Sequence, residues 1–308
     1  MVINQIKTKK GCCLVLLILG MSFSVRGFGQ TIYKGFIGVY PIELVIDDFY
    51  GDKEITAVYS YMKFCDPIPI NGEHHKDSLI LYEKDKNCKT SAILLFDKYD
   101  KNAKIIEGTW KNLSTKKELK ITLKKDYEIE DAYADSIEWK NREILQPVSL
   151  EDYYFKVVTS KEKNAYGVVT GVKIFQKGTG QLVQTLKADE CEIKRLNSIY
   201  IGDFNFDGIE DFSLFQSHAG AGPNTSFMYF LFNPNTKKFF DSKFGGTSLE
   251  FDSKRKRIYE MNSCCAGHNQ TTAEYKVVNN KMVLLEEHCW IWDEKKQDMV
   301  ERKMKDCR

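Results

Sequence analysis

The sequence predicts an all-β protein made of two successive β units. Short apolar or alternating runs recur about every ten residues, turn-forming residues separate them, and helical periodicity is nearly absent from both halves. At 308 residues the chain exceeds the size, roughly 250–300 residues, at which a single core stops growing. Two units are therefore expected: an antiparallel β-meander over 30–130 that closes as a barrel or sandwich, and a propeller-like or sandwich β domain over 150–308. Residues 131–149 read as a connector between them.

The first segment reads as an export signal. Lys7, Lys9 and Lys10 form a basic start, Cys12 to Val25 form an apolar run short for a bilayer span, and Gly27 and Gly29 suit a cleavage site. Cleavage is placed before Gln30, so residues 1–29 are the signal peptide. No cysteine follows the apolar run where a lipid anchor needs one, and no membrane span is expected after cleavage. The body is expected in the periplasm or outside the cell. An uncleaved anchor would also leave it outside the cytoplasm.

In the first unit the candidate strands are Ile42 to Ile46, Ile55 to Tyr61, Leu79 to Tyr82, Ile93 to Phe96, Ile105 to Trp110 and Leu119 to Leu123. Asp47, Asp48 and Gly51, then Asn71-Gly72, then Asp97 to Asn102 read as the turns between them. Residues 126–150 break the rhythm with acidic, Ala-containing sequence that ends at Gln146-Pro147, consistent with a connector holding at most one short helix. The second unit offers Tyr153 to Val158, Val168 to Gln176, Leu182 to Leu186, Phe212 to Gln216, Phe227 to Phe232, Arg257 to Met261, Ala273 to Val278 and Met282 to Trp292.

Composition narrows the function classes. Hydrophobic residues make up 43% and aromatic residues 13%, enough for independent cores. Losing Lys7, Lys9, Lys10 and Arg26 with the signal takes the formal charge from +2 to −2, so nothing draws nucleic acid. The five histidines, His74, His75, His218, His268 and His288, stand in no catalytic or zinc spacing, and no enzyme is expected. Seven cysteines follow the signal, which in an oxidising compartment suggests disulfides. Cys65 and Cys88 are a plausible staple. Cys264 and Cys265 each look for a distant partner, with Cys289 the best candidate for one of them and Cys191 or Cys307 for the other. A redox-active or metal-binding Cys-Cys-His cluster ending at His268 is the alternative.

One motif carries chemistry. Asp203, Asn205, Asp207 and Asp211 stand at positions 1, 3, 5 and 9 of an EF-hand-like loop, with Gly208 at position 6 and the Ile209 carbonyl at position 7. Such spacing aims hard oxygen ligands at one point, so Ca²⁺ is the expected ion. Phe204 and Phe206 should face away into a core. Position 12 is Leu214 in place of the usual bidentate glutamate, so a strand follows the loop and affinity falls toward ~10⁻⁴ to 10⁻³ M. At tenfold excess of calcium over such a constant, binding adds only ~1.4 kcal/mol, which suits a structural ion better than a sensor. The same residues also suit an Asx-rich turn that binds nothing.

From Lys173 to Pro234, several pieces follow one another in a familiar order. They are Lys173 to Phe175, the turn Thr179-Gly180, Gln181 to Leu186, the calcium loop, Ala219 to Pro223, Tyr229 to Phe232 and Asn233-Pro234. The region 150–308 thereby resembles periplasmic calcium-binding immunity proteins against peptidoglycan-hydrolase effectors, similar in architecture to invertebrate-type lysozyme inhibitors. The resemblance implies a calcium-loaded, propeller-like fold that occludes a hydrolase cleft, with a peptidoglycan hydrolase as protein partner. No inhibitory contact residue carries over. In the first half Gly35, Gly38, Tyr40, Pro41 and Ile42, followed by Tyr59 and Tyr61, resemble a β-meander module of bacterial exported proteins. A calcium-stabilised scaffold for envelope proteins or glycans is the competing reading. Ala219 to Pro223, opened by His218, suits a surface loop or a protruding contact loop.

Overall fold

The structure, a computed structural model, describes residues 29–48, 54–129, 136–218 and 224–307. Residues 1–28 of the expected signal peptide and the loop 219–223 lie outside the described residues, while Gly29, the last residue of the expected signal, begins the first strand. The first eight strands are β1 (Gly29–Ile37), β2 (Tyr40–Asp48), β3 (Glu54–Tyr61), β4 (Pro67–His75), β5 (Ser78–Lys84), β6 (Thr90–Phe96), β7 (Ile105–Asn112) and β8 (Glu118–Ile129). They run as an antiparallel meander that closes when β8 pairs with β1, with Gly35 opposite Leu123. Eight strands leave an interior just wide enough for side chains to fill. Tyr33, Leu44, Ile46, Tyr59, Leu81, Phe96 and Leu123 fill it.

Thirteen strands follow. They are β9 (Trp139–Ser149), β10 (Tyr153–Lys161), β11 (Val168–Gln176), β12 (Leu182–Glu192), β13 (Ile199–Gly202), β14 (Asp211–His218), β15 (Thr225–Asn233), β16 (Lys238–Asp241), β17 (Glu250–Asp252), β18 (Arg257–Cys264), β19 (Asn269–Val278), β20 (Lys281–Asp293) and β21 (Asp298–Arg302). Chain order equals sheet order in three successive antiparallel sheets: β9 to β12, β13 to β16 and β17 to β21. Two 3₁₀ turns, Cys265–Gly267 and Met304–Asp306, are the only helical pieces among the described residues. The protein is thus all-β, a closed barrel followed by a propeller-like series of sheets.

Three departures from the sequence reading have physical causes. Asn71-Gly72, expected as a turn, lies inside β4. Gly72 is needed for close approach, because a Cβ there would meet the Ile80 carbonyl oxygen at 2.2 Å. Pro67 and Pro69 disguise the strand, yet both pair only with β3, since pairing with β5 starts at Ile70 where every residue has an N–H to donate. Residues 139–149 form no helix: they are strand β9, paired to β10. Asp47 and Asp48, expected in a turn, end β2.

Asp47 shows how the barrel meets the rest. Strand β2 is buried on both faces: Leu44 and Ile46 point into the barrel, while Val45 points out with Ile32 and Val58 into a core shared with Phe155, Val172, Phe212 and Phe230. Within this junction the fully buried Asp47 accepts hydrogen bonds from Leu196 N at 2.7 Å and Arg195 Nε at 3.4 Å. Lys156 Nζ meets Glu43 Oε2 at 2.6 Å beside it. Burial raises the Asp47 carboxyl above its ordinary pKa, with Arg195 and the Leu196 N–H opposing. The sign follows: protonated Asp47 carries no charge penalty, and its contribution to stability falls as pH rises from about 4 through that raised value. Asp47→Ala leaves the buried Leu196 N–H without its partner, and urea unfolding is expected to show a loss of about 1–3 kcal/mol. An unchanged midpoint would remove Asp47 from the junction's energetics.

Candidate metal centre

The calcium-type loop joins β13 to β14. Its aromatic residues do what the alternation predicts: Phe204 and Phe206 turn inward and pack with Tyr229, Leu231, Phe244 and Ile258 between the last two sheets. Phe204 lies 5.0 Å from the Tyr229 ring and 4.9 Å from Phe251. Gly208 takes φ +87° in open space, so glycine is required for conformation and not for room. Phe206 adopts φ +63° without that freedom, a cost of about 1–2 kcal/mol that its burial offsets.

The polar side chains close the loop on itself. Asp203 accepts from Asp207 N at 3.0 Å and from Gly208 N at 2.8 Å. Asn205 Oδ1 accepts from Asp207 N at 3.2 Å, and Asp207 Oδ1 accepts from Ile209 N at 2.9 Å. Asn205 Nδ2 donates to Asp207 Oδ2 at 2.8 Å. Asp203, Asn205 and Asp207 are therefore brought together. Among the described residues no three His, Cys, Asp or Glu side chains converge on a common metal point.

Asp211 makes its hydrogen bonds with other partners. Fully buried, it accepts from Phe204 N at 3.0 Å through Oδ2 and from Phe232 N at 2.8 Å through Oδ1. Its carboxylate thereby ties the loop's first turn to β15. Burial pushes its pKa up to about 7; the two N–H donors oppose this, and the charges of Asp207 and Asp203 add to the rise. A hard cation at the loop would offset those carboxylate repulsions, and the oxygen donors present suit calcium chemistry. Asp203, Asn205, Asp207 and the Ile209 carbonyl would hold it, with Asp211 as the buried fifth.

Two contacts were not foreseen from the spacing. Asn205 Nδ2 also donates to Asn280 Oδ1 at 3.0 Å, and Lys256 Nζ donates to the Phe206 carbonyl at 3.1 Å. Asn279-Asn280 is a hairpin tip with positive φ at both residues, a signal the sequence contains. Lys256 belongs to the basic run Lys254 to Arg257 between β17 and β18, which reads as a solvated tip. The loop consequently holds the β13–β16 sheet to the β17–β21 sheet, through β15 on one side and the tips of the β17–β18 and β19–β20 hairpins on the other.

The cysteines correct the sequence reading. Cys289 pairs with Cys307, not with Cys264 or Cys265. Cys65 is buried and Cys88 exposed, both free, so that staple is absent; Cys191 is buried 3.7 Å from the Met228 sulfur. His74 meets Asp48 at 3.1 Å, His218 lies against Phe215 and His288 meets Glu301 at 2.7 Å, three separate places in the fold.

No known protein family and no curated protein matches the chain. Among solved structures, a Xanthomonas protein described as related to a type IV secretion system is 15% identical with a TM-score of 0.33, covering 56% of this chain and 98% of its own. A hypothetical selenium-binding protein from Sulfolobus tokodaii is 8% identical with a TM-score of 0.31, covering 85% and 74%. A protein from Lactobacillus plantarum is 8% identical with a TM-score of 0.23, covering 89% and 95%. Likenesses this distant assign no function.

Asp211→Ala strips two buried N–H groups of their acceptor, each worth about 1–3 kcal/mol, and is expected to lower thermal stability in chelator as well as in calcium. Asp207 is exposed, and Asp207→Ala is expected to lower the melting temperature in calcium but much less in chelator. Thermal melts of both variants with calcium and with chelator make the comparison; equal responses of Asp207→Ala and wild type to calcium would exclude Asp207 as a ligand.

Proposed function

We propose that the chain is an exported binding protein that inhibits a cell-wall hydrolase, with one Ca²⁺ in the Asp203–Asp211 loop stiffening its second half. The observation that carries the reading is an apolar rim at one end of the barrel. The β1–β2 and β3–β4 turns adjoin there, with Met62 N donating to the Pro41 carbonyl at 3.0 Å and Tyr40 against Tyr61 at 6.1 Å. Val39 is 79% exposed and Phe64 58%, and Phe36, Tyr40 and Met62 are exposed beside them. Clustered exposed aromatic and large apolar side chains on a rigid support are the usual anchors of protein interfaces.

The filled barrel supports this role by its stiffness, since anchors held in place lose little freedom on binding. Phe64 is further fixed because its carbonyl accepts from Gly178 N at 2.7 Å, which seats the rim against the β11–β12 turn. The export signal and the resemblance of residues 150–308 to hydrolase-blocking immunity proteins point to the partner. In this reading the calcium loop is structural and stands apart from the contact surface.

The assay is hydrolysis of peptidoglycan by a panel of lysozymes and effector hydrolases in the presence of the secreted chain. At least one enzyme is expected to lose activity in proportion to added protein, and Val39→Asp with Phe64→Ser is expected to weaken that inhibition about tenfold or more while leaving the melting temperature unchanged. Full activity of every enzyme at large excess of the chain would overturn the proposal.

A further inference from the structure

At the tip of the β18–β19 hairpin, Cys264 and Cys265 are both exposed and their sulfurs lie 3.2 Å apart. Successive side chains on a strand point to opposite faces, so adjacent cysteines do not ordinarily meet. Here they meet because the backbone turns left-handed straight after the strand: Cys265 and Ala266 both have φ +55°, and Gly267 has φ +87°. Only the glycine is at home in that region, and each of the other two costs about 1–2 kcal/mol.

Neighbours hold the bend from both sides. His268 N donates to the Cys265 carbonyl at 3.1 Å, Trp292 N donates to the His268 carbonyl at 2.8 Å, and the His268 and Trp292 rings stack at 6.0 Å. At the base, Asn224 Nδ2 donates to the Ser263 carbonyl at 2.7 Å and Asn224 Oδ1 accepts from Ser263 N at 3.0 Å. The thiols are therefore presented to solvent side by side on a braced turn.

We propose that Cys264 and Cys265 form a reversible vicinal thiol–disulfide couple that exchanges with low-molecular-weight disulfides. One thiolate attacks the small disulfide, forming a mixed disulfide and releasing one small thiol. The neighbouring sulfur then loses its proton and attacks the protein sulfur of that bond, closing Cys264–Cys265 and releasing the second small thiol. Two protein thiols are oxidised, one disulfide is reduced to two thiols, and the two protons go to the products.

Magnitudes favour this chemistry over zinc. Two sulfurs on one tetrahedral zinc, each about 2.3 Å from the metal, sit ~3.7 Å apart, wider than the pair here, and no third ligand gathers at the site among the described residues. Closing the pair leaves its Cα atoms about 3.8 Å apart, below the usual disulfide range of about 4.4–6.8 Å, whereas Cys289 and Cys307 sit at 5.8 Å. A constrained, exposed bond is the labile kind, so the vicinal bond opens before the second one.

The test treats the whole chain with oxidised glutathione, alkylates it and maps the peptides by mass. The peptide holding Cys264 and Cys265 is expected to lose two hydrogens and carry no glutathione, while Cys264→Ser and Cys265→Ser each trap a glutathione adduct on the remaining thiol. Dithiothreitol should reopen the vicinal bond at a concentration about tenfold or more below that needed for Cys289–Cys307. Wild-type peptide carrying glutathione on one or both cysteines, or left unmodified while exposed Cys88 reacts, would overturn the proposal.

Discussion

The second half depends on one buried carboxylate. Asp211 has no solvent exposure, yet each of its oxygens accepts a backbone N–H, one from the loop that precedes it and one from β15. That pair of bonds fixes where the Asp203–Asp211 loop leaves the sheet. Phe204 and Phe206 are then aimed into the core between the last two sheets, and Asn205 reaches the β19–β20 tip. Without Asp211 the aromatic wedge and the polar turn would have no common origin. Keeping such a group charged is costly, and a divalent ion bound at the loop would offset the repulsion among Asp203, Asp207 and Asp211.

A second constraint ties this half to the barrel. Because β1 to β3 turn Ile32, Val45 and Val58 outward into the core that contains Phe155 and Phe212, the barrel has no independent outer face there. Two ion pairs lie at the same junction, Asp47 with Arg195 and Glu43 with Lys156, and burying such pairs recovers little net energy while removing one partner alone is costly. The apolar rim at the barrel's end is thus carried on a support continuous with the propeller-like sheets.

Much of this was legible in the residues. Alternation locates most of the strands between Ile42 and Leu123 and between Tyr153 and Trp292, though not β4, β13, β16 or β17, and the spacing of Asp203, Asn205, Asp207 and Gly208 locates a polar loop with its aromatics turned inward. What the sequence concealed depends on neighbours far along the chain. Asn71-Gly72 has turn chemistry, but its glycine answers the Ile80 carbonyl across the ladder. Asp47 reads as a loop acid, and Arg195 and Leu196, far along the chain, make it a buried acceptor. Cysteine pairing was equally hidden: sequence places Cys264 beside Cys265 but does not say that the turn after the strand is left-handed, which brings their sulfurs together and leaves Cys289 to Cys307.

The proposal that ties the second half together is a calcium ion in the Asp203–Asp211 loop that clamps the last two sheets. Crystals grown with calcium, with an anomalous difference map from the ion, test it most directly. The expected result is one peak ringed by oxygens of Asp203, Asn205, Asp207, Ile209 and Asp211. A map without a peak, with those side chains keeping their present hydrogen bonds, would contradict the proposal.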